Sequence, residues 1–107
     1  MSMDKGKTHT YTIDEIKEAI KPVAHEYGVK QITLFGSYAK GEATPKSDID
    51  LHLVDYSDPW GYFKLLCFRQ ELELALGIRV DVLTTGAMDN EVLEKVRQDG
   101  VLVFEQQ

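Results

Sequence analysis

Leu34 to Leu53 reads LFGSYAKGEATPKSDIDLHL. An apolar run (Ile32, Leu34, Phe35) leads into Gly36-Ser37, a short basic segment follows at Lys40-Gly41, and a second apolar run begins inside Asp48-Ile49-Asp50. This pattern predicts strand, tight turn, short helix over Tyr38–Gly41, loop over Ala43–Ser47 with Pro45 in it, and strand. Ten residues separate Ser37 from Asp48, so two chemically distinct ends stand at a fixed spacing.

The ends suit opposite halves of one ligand. A glycine after a buried strand lets the backbone turn sharply and approach a bulky anion, and Ser37 offers an N–H and a hydroxyl at the start of a helix. Together they form a candidate phosphate seat. Asp48 and Asp50 lie two apart on a strand, so both carboxylates leave one face, where hard oxygen ligands suit Mg²⁺ bridging to phosphates. Neither half is specific alone. With nine Asp in the chain, chance gives on the order of 0.7 D-x-D patterns, and Gly-Ser most often marks an ordinary turn. The information lies in the joint pattern, each end set against an apolar strand in the right order.

GSYAKGEATPKSDIDL resembles the G-S-x(10)-D-x-D signature of the nucleotidyltransferase superfamily related to DNA polymerase beta. The short single-domain form resembles the minimal nucleotidyltransferases that act as antitoxins beside HEPN-domain toxins, and the resemblance covers about Ile13 to Phe104. Lys40 stands where many relatives carry Arg, keeping the charge without the bidentate fork. The resemblance implies two Mg²⁺ ions held by Asp48 and Asp50, with Asp81 as the third carboxylate. Gly36 and Ser37 would seat the phosphates of ATP, with Lys40 as a further nucleotide contact. The position of Lys46 and Ser47 just before Asp48 puts them within reach of phosphate, an exposed loop Lys being usually only solvated. The implied reaction moves AMP from ATP to a tyrosine hydroxyl of a HEPN ribonuclease toxin, in a hetero-oligomer with that toxin. Its smallness agrees, since a partner must then complete the site.

The remaining sequence sets bounds. A length of 107 residues with 43% hydrophobic composition predicts one domain over 11–107 behind a loose tail at 1–10, too short for added nucleic-acid-gripping domains. A formal net charge of −6 with scattered basic residues disfavours binding to a nucleic-acid backbone. Cys67 is the single cysteine, which excludes an intramolecular disulfide and a cysteine-rich zinc site and fits a reducing cytoplasm. Its helical apolar surroundings predict a buried core thiol. No apolar run approaches the about 20 residues that span a bilayer, and the polar start lacks a signal-peptide core.

Thr12 and Glu15 form a capping-box pattern before a helix that repeats Ile13, Ile16, Ala19, Ile20, Val23 and Tyr27 and stops at Gly28, with a kink or break expected at Pro22. His25 in it reads as a surface residue. A strand over Lys30–Phe35 precedes the Gly36 turn. From Asp48 to Val54, Ile49, Leu51 and Leu53 point one way and Asp48, Asp50 and His52 the other, so His52 stands near the site on an open face. Two crowded carboxylates there repel without a cation, which argues for bound metal.

Asp58-Pro59 starts a helix to Leu76 that is apolar all round, fit to be buried on two sides or shared with a partner protein. In the strand Arg79–Thr84, Asp81 interrupts an apolar run. A charge there costs several kcal/mol if buried alone, so it is compensated by a metal on the neighbouring strand, or it faces water or pairs with Arg79. A helix over Asp89–Asp99, ended by Gly100, and a strand over Val101–Phe104 complete the order α-β-α-β-α-β-α-β, an α/β (α+β) chain. That order allows a parallel doubly wound sheet, whereas the resemblance implies a small mixed sheet with helices mainly on one face. Two rival functions remain open: neutralising a partner by binding alone, and nucleotidylating a small molecule of aminoglycoside type.

Overall fold

A computed structural model of the protein describes residues 10–56, 62–84 and 89–106. The elements are α1 (Ile13–Tyr27), β1 (Val29–Phe35), α2 (Ser37–Lys40), β2 (Ile49–Tyr56), α3 (Tyr62–Leu76), β3 (Val80–Thr84), α4 (Asn90–Asp99) and β4 (Val101–Glu105). The strands form one sheet in the order β3-β2-β1-β4. β1 pairs antiparallel with β2 and β4, while β2 and β3 are parallel and joined through α3. The sheet is therefore mixed, because only the connection through a full helix can return the chain in the same direction. The start of the Asp58-Pro59 helix and the tail before Thr10 lie outside the described residues.

α1 begins as its sequence predicts. The Glu15 N–H donates to Thr12 Oγ1 at 3.1 Å and the Thr12 N–H donates to Glu15 Oε1 at 2.9 Å, closing the capping box. The helix ends at Gly28 in the left-handed conformation, φ 72°. The break expected at Pro22 does not occur; α1 is one helix of 15 residues. Pro22 sits on the exposed side, where water can satisfy the carbonyl that loses its donor, while Ile16, Ile20, Val23 and Ala24 hold the other side in the core.

Strand alternation builds that core. Ile32, Leu34, Ile49, Leu51, Leu53 and Val80 are fully buried, and α1 and α3 cover them with Ile16, Ile20, Phe68, Leu72 and Leu76. Each such side chain contributes about 1.5–3 kcal/mol by leaving water. The helices are pinned together by Tyr27, whose ring meets Phe68 edge-on at 5.3 Å and whose hydroxyl donates to Glu71 at 3.2 Å. The Tyr11 hydroxyl donates to the Leu76 carbonyl at the far end of α3. α3 is apolar on several sides, as read from the sequence, and it leaves Phe63 and Leu74 in solvent at 78% and 84% exposure. Cys67 is only half-buried, because it lies beside rather than on the Phe68–Leu72–Leu76 stripe.

Candidate active site

The carboxylates gather where β1, β2 and β3 lie side by side. Phe35 is the register partner of Asp50, and Asp50 is the register partner of Asp81, so one row crosses three strands. Side chains at paired positions leave the same face. Asp50 and Asp81 therefore share the face opposite the Ile49–Leu51–Leu53 core stripe. Asp48 precedes the first residue of β2. The Ile49 N–H donates to the Arg79 carbonyl at 3.0 Å, which brings Asp48 alongside Arg79. Arg79 Nε then stands 4.0 Å from Asp48 Oδ2, in a partly exposed pair. Arg79 thus faces Asp48, not Asp81.

Gly36 supplies the other wall. Its backbone, φ 79° and ψ −155°, lies in a region open essentially to glycine alone. A Cβ built there would fall 2.3 Å from Asp50 Oδ2, so the Asp50 carboxylate occupies the space a side chain would need. From this point α2 runs for one turn: the Ala39 and Lys40 N–H groups donate to the Gly36 carbonyl at 3.1 and 3.2 Å. Ser37 heads that turn, Tyr38 anchors it in the core, and Lys40 is exposed. Ser47 is engaged in its own loop, its Oγ accepting from the Thr44 N–H at 2.9 Å and its N–H donating to the Thr44 carbonyl at 2.9 Å.

The electrostatics follow from this crowding. Burial, then the Asp81 and Asp48 charges and a hydrogen bond with Asp81, push the Asp50 carboxyl up to about 6. The cluster carries more negative charge than its neighbours compensate. Hard carboxylate oxygens with surplus charge fit a divalent cation such as Mg²⁺. As the side chains stand, no three ligating groups converge into a metal cage among the described residues, since Asp48 faces Arg79.

His52 follows Asp50 on the same side of β2, paired with Thr33 and Leu83. The open face expected there is in fact covered: His52 is only 7% exposed. The C-terminal end of α4 closes over this row, with Gly100 so near Thr33 that an added Cβ would fall 2.7 Å from its methyl group. Burial disfavours the charged form of the His52 imidazole and holds it below its usual range.

Asp50 and Asp81 open into a cleft of about 420 Å³ walled by Phe35, Leu65, Leu66, Leu83 and Val92, with Arg69 at its border. The apolar walls and Arg69 were missed in the sequence reading. Arg69 is the single arginine of α3, which also carries Lys64, Gln70, Glu71 and Glu73, so residue type alone did not single it out.

Comparisons with known proteins bear on the family and the fold. A family model described as "Nucleotidyltransferase domain" matches residues 16–103. A Methanocaldococcus jannaschii protein named as a candidate protein adenylyltransferase is 37% identical over 95 residues, covering 85% of this chain and 96% of the relative. The protein adenylyltransferase MntA of Thermococcus cleftensis is 32% identical over 96 residues, covering 86% and 96%. Among solved structures, a toxin–antitoxin with AMP-PNP superposes with a TM-score of 0.73 at 24% identity, covering 85% of this chain and 74% of the other. A complex of tri-AMPylated Shewanella oneidensis HEPN toxin with MNT antitoxin superposes with a TM-score of 0.68 at 20% identity, covering 90% and 75%. At these identities the structures speak for the fold.

Proposed function

Since this chain belongs to the nucleotidyltransferase domain family, we propose that it moves AMP from ATP to a tyrosine hydroxyl of a HEPN-domain toxin and thereby silences it as an antitoxin. One observation carries the reading: Asp50 and Asp81 are register partners, and Asp50 fills the space beside Gly36 where a side chain would stand. The Gly36 turn, the proposed anion seat, thus lies against the carboxylate pair, an arrangement that supports nucleotidyl transfer. The relatives named protein adenylyltransferase and the AMPylated toxin bound to an antitoxin of this fold support the choice of nucleotide and partner.

In this mechanism Gly36 lets the triphosphate approach the backbone, and Ser37 donates its N–H and hydroxyl to the leaving phosphates. Lys40 and Ser47 provide charge and a hydroxyl at the rim of the same seat. Asp48, Asp50 and Asp81 would hold Mg²⁺, two ions in the full arrangement; when bound, the metal neutralises the triphosphate and acidifies the acceptor hydroxyl. The Asp81 carboxylate takes the hydroxyl proton. The acceptor oxygen bonds to the α-phosphorus as the α–β phosphoanhydride bond breaks, and pyrophosphate leaves over α2.

Intact-mass spectrometry of a HEPN-domain toxin tests the proposal after its co-expression with the wild type or with Asp48→Asn/Asp50→Asn. The wild type is expected to add the mass of one or more AMP groups on tyrosine, and the double variant none. A toxin left unmodified by the wild type yet still neutralised would refute the transfer and leave neutralisation by binding.

A further inference from the structure

Arg69 belongs to none of the motifs above, yet α3 carries it to the border of the cleft that holds Asp50 and Asp81. The chain has three arginines. Arg79 faces Asp48 and Arg97 faces Glu94, whereas Arg69 Nε is buried with no hydrogen-bond partner among the described residues. Burying a guanidinium nitrogen without an acceptor is costly, so its retention beside the carboxylates points to an acceptor that arrives with a ligand. Arg69 also lines a second groove of about 650 Å³ with Glu73, Gly77, Ile78 and Arg79. It therefore stands where that groove meets the carboxylate cleft, beside the outer strand β3.

The side of the site on which it stands identifies the ligand. In an in-line displacement the nucleophile and the leaving group lie on opposite sides of the phosphorus. The sheet order sets Gly36 and Ser37 at the end of β1, Asp50 on β2 between, and Asp81 on β3 beyond. With pyrophosphate leaving over Gly36 and Ser37, the acceptor comes from the β3 side, which is the side of Arg69.

We propose that Arg69 is an acceptor-positioning residue: its guanidinium grips an oxygen of the partner segment carrying the hydroxyl, and the groove beside β3 admits that segment. The inference rests on the nucleotidyl-transfer reading given above. The fork geometry of arginine suits a carboxylate or backbone carbonyl next to the modified residue.

Steady-state kinetics of Arg69→Gln and Arg69→Lys separate the roles, with ATP and the purified HEPN-domain protein as the two varied substrates. Arg69→Gln is expected to raise the acceptor KM by about tenfold or more, the loss of one charge-assisted hydrogen bond. The ATP KM should stay within about twofold, with Tm not lowered and part of the acceptor KM recovered by Arg69→Lys. An unchanged acceptor KM, a rise confined to the ATP KM, or a lowered Tm that both variants share would each overturn the assignment. Absence of transfer by the wild type would overturn the transfer reading, and this one with it.

Discussion

Replacing Asp50 by Asn should stabilise the metal-free protein while abolishing transfer. Burial and the Asp81 and Asp48 charges lift the Asp50 carboxyl from 3.8 to about 6. At about 1.36 kcal/mol per unit, this shift corresponds to a ceiling of about 3 kcal/mol. Asp50 is half-buried, so solvent screening reduces the expected effect to about 1 kcal/mol. The sign follows from linkage. The folded state holds this proton more tightly than the unfolded one, so the contribution is complete below about pH 4 and is lost as pH rises through about 6. At pH 7.5 in EDTA, Asn removes the charge and keeps an amide that can donate to Asp81. Thermal unfolding should then show Asp50→Asn above the wild type by about 4 °C. Its advantage should shrink toward pH 4 and vanish when Mg²⁺ stabilises the wild type. A variant equal to or less stable than the wild type at pH 7.5 without metal would refute the claim that the carboxylates are uncompensated.

Other consequences are as specific. Gly36→Ala forces a Cβ onto the Asp50 carboxylate at a backbone angle that alanine resists; it should cost about 1–3 kcal/mol in urea unfolding and lower transfer sharply. Leu72→Ala opens the fully buried α3–sheet contact and should cost about 2–5 kcal/mol by the same measurement. Thr12→Ala removes the capping box of α1 and should cost about 1 kcal/mol, with activity retained in a transfer assay.

The parts of the fold that could be read in the sequence are those in which local chemistry and position agree. Thr12 and Glu15 start α1, and the alternation of Ile49, Leu51 and Leu53 selects the core face of β2, because caps and pleats act over a few residues. Gly36 and Asp50 could be paired as candidates, but their contact depends on two strands meeting in register. Where tertiary packing overrides local preference, the reading departed from the structure. Pro22 does not break α1 into two because buried neighbours hold the helix together, and His52 is covered because α4 closes on the acidic face from far along the chain. Whether Arg79 faces Asp81 or Asp48 turns on where the chain enters β2, and Arg69 became visible only once α3 was laid beside the carboxylate cleft.

Transfer from ATP labelled at the α- or the γ-phosphate tests the central claim most directly, using the purified HEPN-domain protein as acceptor in Mg²⁺. Label retained on the acceptor from the α-position only, and absent with Asp48→Asn/Asp50→Asn, is the predicted result. Label retained from the γ-position, or from neither position while the two proteins still form a stable complex, would contradict it.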